Sequence, residues 1–197
     1  MESNDFSIPY LVAVSFGPDS MALLNMLIQQ EKKLVVCHVN YHKRKESDEE
    51  ERKLKAFCHE RNIPIHVLEA GHPLEHMNFQ AWARDIRYRF FASIYKKYHA
   101  QGLFVAHHAD DDVETFFMQK NKLLRTYGIQ EERILYGMRV IRPLLCYRKK
   151  DLYRYCIENQ IPFSIDSSNL QNDYERNRIR HFIVEQLSDD EVRRYQE

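Results

Sequence analysis

The sequence predicts an α/β fold, a mostly parallel sheet with helices on both faces, followed by a short helical extension. Three observations carry that reading. Apolar runs of strand length alternate with helical stripes along the 197 residues, the pattern of βαβ units. One run, LVVCHV at 34–39, is apolar on almost every residue, which suits a strand buried on both faces of a parallel sheet. The polar, chemistry-capable stretches follow the strands, where ligands gather in open α/β sheets.

The elements follow in order. Tyr10 to Leu24, YLVAVSFGPDSMALL, spells strand, tight hydroxyl- and Gly-containing turn, then helix. A helix start offers unpaired N–H groups and partial positive charge, so this corner suits a phosphate. The helix is expected from Asp19 to Gln30, with Met21, Leu23, Leu24, Leu27 and Ile28 facing in. After the Leu34–Val39 strand, Ser47-Asp-Glu-Glu50 reads as a capping box opening a helix with Leu54, Phe57 and Cys58 inside. Ile63 to Leu68 is the third strand. Asn78 caps a long helix on which Phe79, Trp82, Ala83, Ile86, Phe90, Ile94 and Tyr98 recur at threes and fours. Leu103 to Ala106 is the fourth strand. Val140 to Leu145 is a fifth, placed at an edge because Pro143 cannot donate to a ladder. Lys149 to Asn159 forms a helix, Asp166 to Asn169 a polar loop, and Tyr174 to Leu187 a basic helix. The last ten charged residues read as the opening of a helix. A catalytic domain over 1–146 and a helical extension over 147–197 are the expected division.

Composition narrows the class. Hydrophobic residues make up 44% and charged residues 29%, as in soluble globular proteins, and five glycines and six prolines argue against a linker-rich chain. No run is apolar enough for a membrane span and the N-terminus lacks a signal-peptide layout, so the expected location is cytoplasmic. Cys37, Cys58, Cys146 and Cys156 are scattered without a CxxC pair, which reads as buried thiols and offers no zinc or iron–sulfur site. The formal charge is zero, yet basic residues cluster at 43–45, 84–89, 139–154 and 176–180. Such clusters fit a nucleic-acid face or ordinary solvated surface.

The strongest chemical signal is HHADDDVET, His107 to Thr115, at the end of the fourth strand. Asp110 as a helix cap explains part of it. Two His before and Glu114 after remain, and carboxylates beside a polyphosphate need Mg²⁺ or a cationic substrate. A His/Asp transition-metal or two-metal phosphohydrolase site is the alternative. Asp19 is a helix-cap acceptor, a Mg²⁺ ligand, or both. Arg84 and Arg87 share one helix side, either pairing with acids or clamping phosphate. The Walker A ending and the GxGxxG fingerprint are both absent.

What stands at 15–20, Ser-Phe-Gly-Pro-Asp-Ser, resembles the PP-loop of N-type ATP pyrophosphatases, usually SGGxDS, with Phe16 at its first Gly. Phe16, carrying a Cβ, is expected in an ordinary backbone region, leaving Gly17 to supply any special conformation. Further along, His38-Val-Asn-Tyr-His-Lys-Arg44, Ala83-Arg84-Asp-Ile-Arg87-Tyr88, His107 to Thr115, Ile141-Arg-Pro-Leu-Leu145, and Asp166-Ser-Ser-Asn169 with Arg176-Asn-Arg-Ile-Arg180 resemble ordered blocks of the tRNA(Ile)-lysidine synthase family. Asp112 stands where that family has Gln, and 119–133 lacks its RGxG-like loop. Family members commonly continue into C-terminal domains that help hold tRNA, so the chain is a short form or a catalytic domain.

The resemblance implies a Rossmann-like, adenine nucleotide alpha hydrolase-like sheet and an AMP-forming ligase. ATP and Mg²⁺ are the implied cofactors, free L-lysine and tRNA-Ile with a CAU anticodon the implied partners. It implies ATP binding by Ser15, Phe16, Gly17, Pro18, Asp19, Ser20, His38 and Arg84, with Asp19 on the metal. Asp111 and Glu114 would hold lysine and, with Asp19, be catalytic. Arg44, Arg87, Lys149, Lys150, Arg176, Arg178 and Arg180 would meet tRNA. Another PP-loop enzyme such as a tRNA thiolase, or a nucleotide- or RNA-binding module without catalysis, are the rival readings.

Overall fold

The computed structural model describes residues 8–42, 46–71, 73, 78–120, 128–165 and 175–196, with the backbone alone for 175–177. Six strands form one sheet: β1 (Tyr10–Ala13), β2 (Leu34–Asn40), β3 (Ile65–Glu69), β4 (Leu103–Phe104), β5 (Glu132–Leu135) and β6 (Met138–Ile141), in the order β3-β2-β1-β4-β6-β5. All neighbours pair parallel except β5 with β6. From β1 the chain adds strands first to one side and then to the other. The carboxyl ends of β1 and β4 therefore flank the switch point where such sheets bind ligands.

The helices are α1 (Pro18–Gln29), α2 (Glu46–Glu60), α3 (Phe79–Tyr98), α4 (Ala109–Lys120), α5 (Lys149–Glu158), α6 (Glu175–Phe182) and α7 (Asp189–Gln196), with a 3₁₀ turn at Val184–Gln186. They cover both faces, as the apolar strands require. On one face, Val12, Val14 and Val36 pack with Met21, Leu24 and Leu27 of α1, Leu54, Phe57 and Cys58 of α2, and Leu152 and Cys156 of α5. On the other, Leu11, Val35, Cys37, Leu103 and Val140 meet Tyr88, Phe91 and Ile94 of α3. A third cluster joins Ala109 and Val113 of α4 to Val184 and Val192 of the C-terminal segment. The charged last residues do form a helix, since α7 turns Val192 inward and sets Tyr195 against Phe116 and Phe117.

Several boundaries differ from the sequence reading for local reasons. Asn78 caps α3 as expected, its side chain accepting from the Gln80 and Ala81 amides. The inward stripe of α3 includes Tyr88 and Phe91 in addition to Ala83 and Ile94. Ser47 lies inside α2, which already includes Glu46, so it is not the helix cap. Basic segment 174–187 is split into α6 and the 3₁₀ turn. The fifth predicted strand ends at Ile141 and is not at the edge, because β5 precedes it in a hairpin and takes that place. The two-residue turn, Tyr136 (φ 51°) and Gly137 (φ 76°), has both residues left-handed, the geometry that matches strand twist in tight hairpins. Loop 166–169 lies outside the described residues.

Candidate active site

The corner after β1 is built around an uncapped helix. Gly17 is the N-cap of α1 without a side-chain hydrogen bond to the first turn, and Pro18 opens the helix. Ser20 fixes the turn instead: its hydroxyl donates to the Gly17 carbonyl at 3.0 Å and accepts from the Ser15 amide at 3.2 Å. The expectation for Phe16 is overturned. Phe16 itself has φ 68°, whereas Gly17 is extended at φ −74°. The reason is packing. The Phe16 ring is 1% exposed in the core under α1, and its carbonyl accepts from the Ser164 amide at 2.9 Å. Phe16 therefore shapes the corner through its backbone and has no side chain to offer a nucleotide.

Beside the corner lies a cavity of about 350 Å³ lined by Ser15, Asp19, Ser20, Tyr41, Arg87, Tyr88, His107 and Asp111, among others. These come from the ends of β1, β2 and β4 and from α1, α3 and α4, the rim that parallel topology predicts. Asp19 Oδ1 is buried with no hydrogen-bond partner. Its Oδ2 lies 3.6 Å from Nε2 of His108, which is also 3.4 Å from Asp111. Burial opposes charge on His108, but Asp111, Asp19 and Asp110 together outweigh it and hold its pKa above the ordinary value. His108 is also the N-cap of α4, and Asp111 reaches back to accept its amide at 3.2 Å. Asp111 thus caps its own helix while facing the cavity.

The neighbouring acids point elsewhere. Asp110 is not a cap of α4. It accepts from Arg148 Nε at 3.0 Å and from the Lys149 amide at 2.7 Å, tying α4 to the start of α5. Asp112 accepts from the Ile129 amide and from Gln196 at 3.2 Å, a holding role for the loop and α7. Gly128 is required there, since a Cβ would come within 2.6 Å of the Asp112 carboxylate. Glu114 is fully buried and paired bidentately with Arg180 through Nε and, at 3.0 Å, Nη2. Burial alone would lower the Arg180 pKa; the Glu114 hydrogen bonds and charge raise it.

The remaining expected site residues divide by position. Arg87 lines the cavity, whereas Arg84, one turn away, is exposed over the Tyr88 ring at 4.7 Å. His38 is buried, its Nδ1 2.8 Å from the Val14 carbonyl, so it supports the end of β1 instead of lining the cavity; burial lowers its pKa. Lys149, Lys150 and Arg180 border a second hollow with Arg148 and Tyr153, and Lys150 pairs with Asp189 at 2.7 Å. Arg178 is exposed on α6. Arg44 and the side chain of Arg176 lie outside the described residues. Cys37, Cys58 and Cys156 are buried as expected, but Cys146 is exposed. His108, Tyr41 and Tyr88 escaped the sequence reading as site residues. His108 stands in the His107-to-Thr115 run that carries the strongest chemical signal, although that run alone assigns it no role.

Among the described residues no three His, Cys, Asp or Glu side chains converge to hold a metal by themselves, which removes support from the transition-metal reading. The unpartnered Asp19 oxygen and the adjacent Asp111 do fit Mg²⁺, which is commonly held by one or two carboxylates with substrate phosphate and water completing the octahedron. Among the described residues, no helix is long and apolar enough to cross a membrane.

The comparisons agree with this geometry. Residues 4–187 match the ATP_bind_3 model, a PP-loop domain. A tRNA(Ile)-lysidine synthase of Ureaplasma parvum is 45% identical over 181 residues, covering 88% of this chain and 54% of the relative. Another, from Bacillus licheniformis, is 36% identical over 203 residues, covering 96% and 43% respectively. The chain spans about half the length of these relatives. Among solved structures, the U34-tRNA thiolase NcsA from Methanococcus maripaludis shares the fold with a TM-score of 0.76 over 96% of this chain and 70% of that one, at 13% identity.

Proposed function

The chain belongs to the PP-loop ATP-binding domain family, and from that premise we propose that it is the catalytic part of a tRNA(Ile)-lysidine synthase. The reaction is ATP-dependent ligation of free L-lysine to C2 of the wobble cytidine in tRNA-Ile with a CAU anticodon, with release of pyrophosphate and AMP. The observation that carries it is the joining, at one cavity, of an uncapped helix start, the unpartnered Asp19 oxygen, Asp111 and Arg87. A polyphosphate and a cationic amine both find complementary charge there.

The roles follow from position. The amides at the start of α1 and the Ser15 and Ser20 hydroxyls receive the ATP phosphates. Asp19, with its unpartnered oxygen, would hold Mg²⁺, which when bound neutralises phosphate charge. Arg87 orients the α-phosphate so that cytidine O2 attacks in line, giving an adenylated base and releasing pyrophosphate. The lysine ε-amine then displaces AMP at C2. It must be neutral to attack, so a carboxylate has to hold the ammonium and accept its proton. Asp111 faces the cavity for this purpose. Glu114 is engaged by Arg180, so a lysine ammonium reaching Glu114 has to take the place of that guanidinium. Lys149, Lys150, Arg178 and the Arg44 and Arg176 positions supply charge for tRNA backbone.

Labelled lysine supplied with ATP and a CAU-anticodon tRNA tests this directly. Lysine should enter the tRNA; pyrophosphate release should require the tRNA, and AMP release should require lysine as well. ATP binding without lysine transfer to any tRNA would leave a non-catalytic nucleotide- and RNA-binding module, and sulfur transfer would mean a thiolase.

A further inference from the structure

Arg142 follows β6 and lies on the same rim as the cavity, since the Val105 amide beside it donates to the Ile141 carbonyl at 3.0 Å and Val105 lines the cavity. It is 5% exposed. Its Nη1 donates to the Gln130 carbonyl at 2.6 Å, and its Nε is buried with no partner. A guanidinium remains charged at any ordinary pH, so this is a buried cation with an unsatisfied donor. Burial lowers its pKa; a hydrogen bond to Tyr88 opposes that, while Arg84 and Arg133 add to it by like-charge repulsion. Arg84 reaches the group across Tyr88 and Arg133 from β5; both are exposed.

Nearby acids do not compensate. Asp85 is held by Arg89 at 2.7 Å and by the Tyr136 hydroxyl at 2.9 Å, and Glu132 makes two bonds to Arg139. Among the described residues no carboxylate pairs with Arg142, Arg84 or Arg133. Three neighbouring cations, one of them buried with its Nε short of an acceptor, form an arrangement that an anion completes.

We propose that Arg142, Arg84 and Arg133 form a phosphate-binding site beside Tyr88, which also lines the nucleotide cavity. A phosphate group offers several acceptor oxygens in the geometry a guanidinium fork matches. Its source is either a backbone phosphodiester of an RNA whose base enters the cavity or a phosphate of the nucleotide itself. Tyr88, which lines the cavity and also meets Arg84 and Arg142, couples the two places. The proposal does not depend on lysine transfer.

Binding of a short CAU-anticodon RNA stem-loop and of ATP should be measured separately on the full chain, for R84Q/R133Q and for Arg142→Met. A drop of about tenfold or more is expected for one ligand, the worth of a charge-assisted hydrogen bond. Loss confined to RNA, with the slope of log affinity against log salt falling by about one per phosphate contact, assigns the backbone. Loss confined to ATP assigns the nucleotide. Should Arg142→Met not fold, R84Q/R133Q decides alone, because both of its side chains are exposed. Both affinities staying within about twofold in R84Q/R133Q would overturn the proposal. Failure to detect lysidine would leave this measurement standing.

Discussion

The four acids within five residues at the start of α4 are treated in two ways, one facing the cavity beside Asp19 of α1 and three turned to other elements. Asp111 faces the cavity with Arg87 and Asp19, and Asp19 keeps one buried oxygen without a partner. Asp110, Asp112 and Glu114 turn toward α5, α6 and α7, where each is bonded to an arginine or an amide. Satisfied acids of this kind hold elements together. An unsatisfied one is retained against its desolvation cost because something else completes it. One acidic run therefore serves assembly and chemistry at once.

The contrast can be tested from both sides. The largest effect on stability should come from the packed side. Glu114→Gln leaves the Arg180 guanidinium with only the more distant Asp111 carboxylate, at 3.7 Å, and should cost about 3 kcal/mol in denaturant unfolding. The double variant Glu114→Gln with Arg180→Met should recover part of that loss; a double variant no more stable than the single would mean that the pair is not the source. On the cavity side, Asp19→Asn and Asp111→Asn should slow ATP-dependent pyrophosphate release by on the order of 10²–10³-fold, about 3–4 kcal/mol of lost electrostatic stabilisation. Their unfolding midpoints should move little. A destabilisation as large as that of Glu114→Gln would erase the distinction between the two groups.

A smaller effect tests the corner. Phe16→Gly relieves about 1–2 kcal/mol of left-handed strain but removes a buried aromatic side chain worth about 3–5 kcal/mol. The net expectation is a loss of about 2 kcal/mol, readable as a lower thermal midpoint. A more stable glycine variant would show that strain, not packing, dominates there. The smallest effect concerns His38. Its folded pKa is depressed, so as pH falls past 6.5 the unfolded chain takes up the proton first. Stability should be fully present above that pH and decline between 6.5 and the lower folded value. His38→Gln should flatten that part of the stability–pH curve; an unchanged slope would assign it to other groups.

The sheet was legible because fully apolar strands and helical stripes leave little choice of period. LVVCHV and the α3 stripe pointed to the two faces directly. The hairpin strand β5 was not, since Glu132 to Leu135 is short and largely exposed and so carries no burial pattern. HHADDDVET announced a site, but residues one apart on a helix are turned by 100°, and only the surrounding elements decide which acid sees the cavity. Phe16 misled for a different reason. Residue identity argues against positive φ, yet the core demanded the ring. Arg142 lay within a run noted for its resemblance to a known block, and the unpartnered state of its Nε is a tertiary fact that no spacing reveals.

The contact between the corner and the segment after α5 bears on synthesis as well as on structure. Besides the Ser164 amide on Phe16, the Cys156 thiol donates to the Pro18 carbonyl across 138 residues of sequence. At ordinary translation rates that separation corresponds to roughly ten to thirty seconds. The phosphate corner leaves the ribosome well before the segment that closes its base. During that interval the Phe16 and Pro18 carbonyls and the apolar face of α1 that Leu152 and Cys156 later cover stay open, so the nascent nucleotide corner exposes apolar surface until α5 arrives.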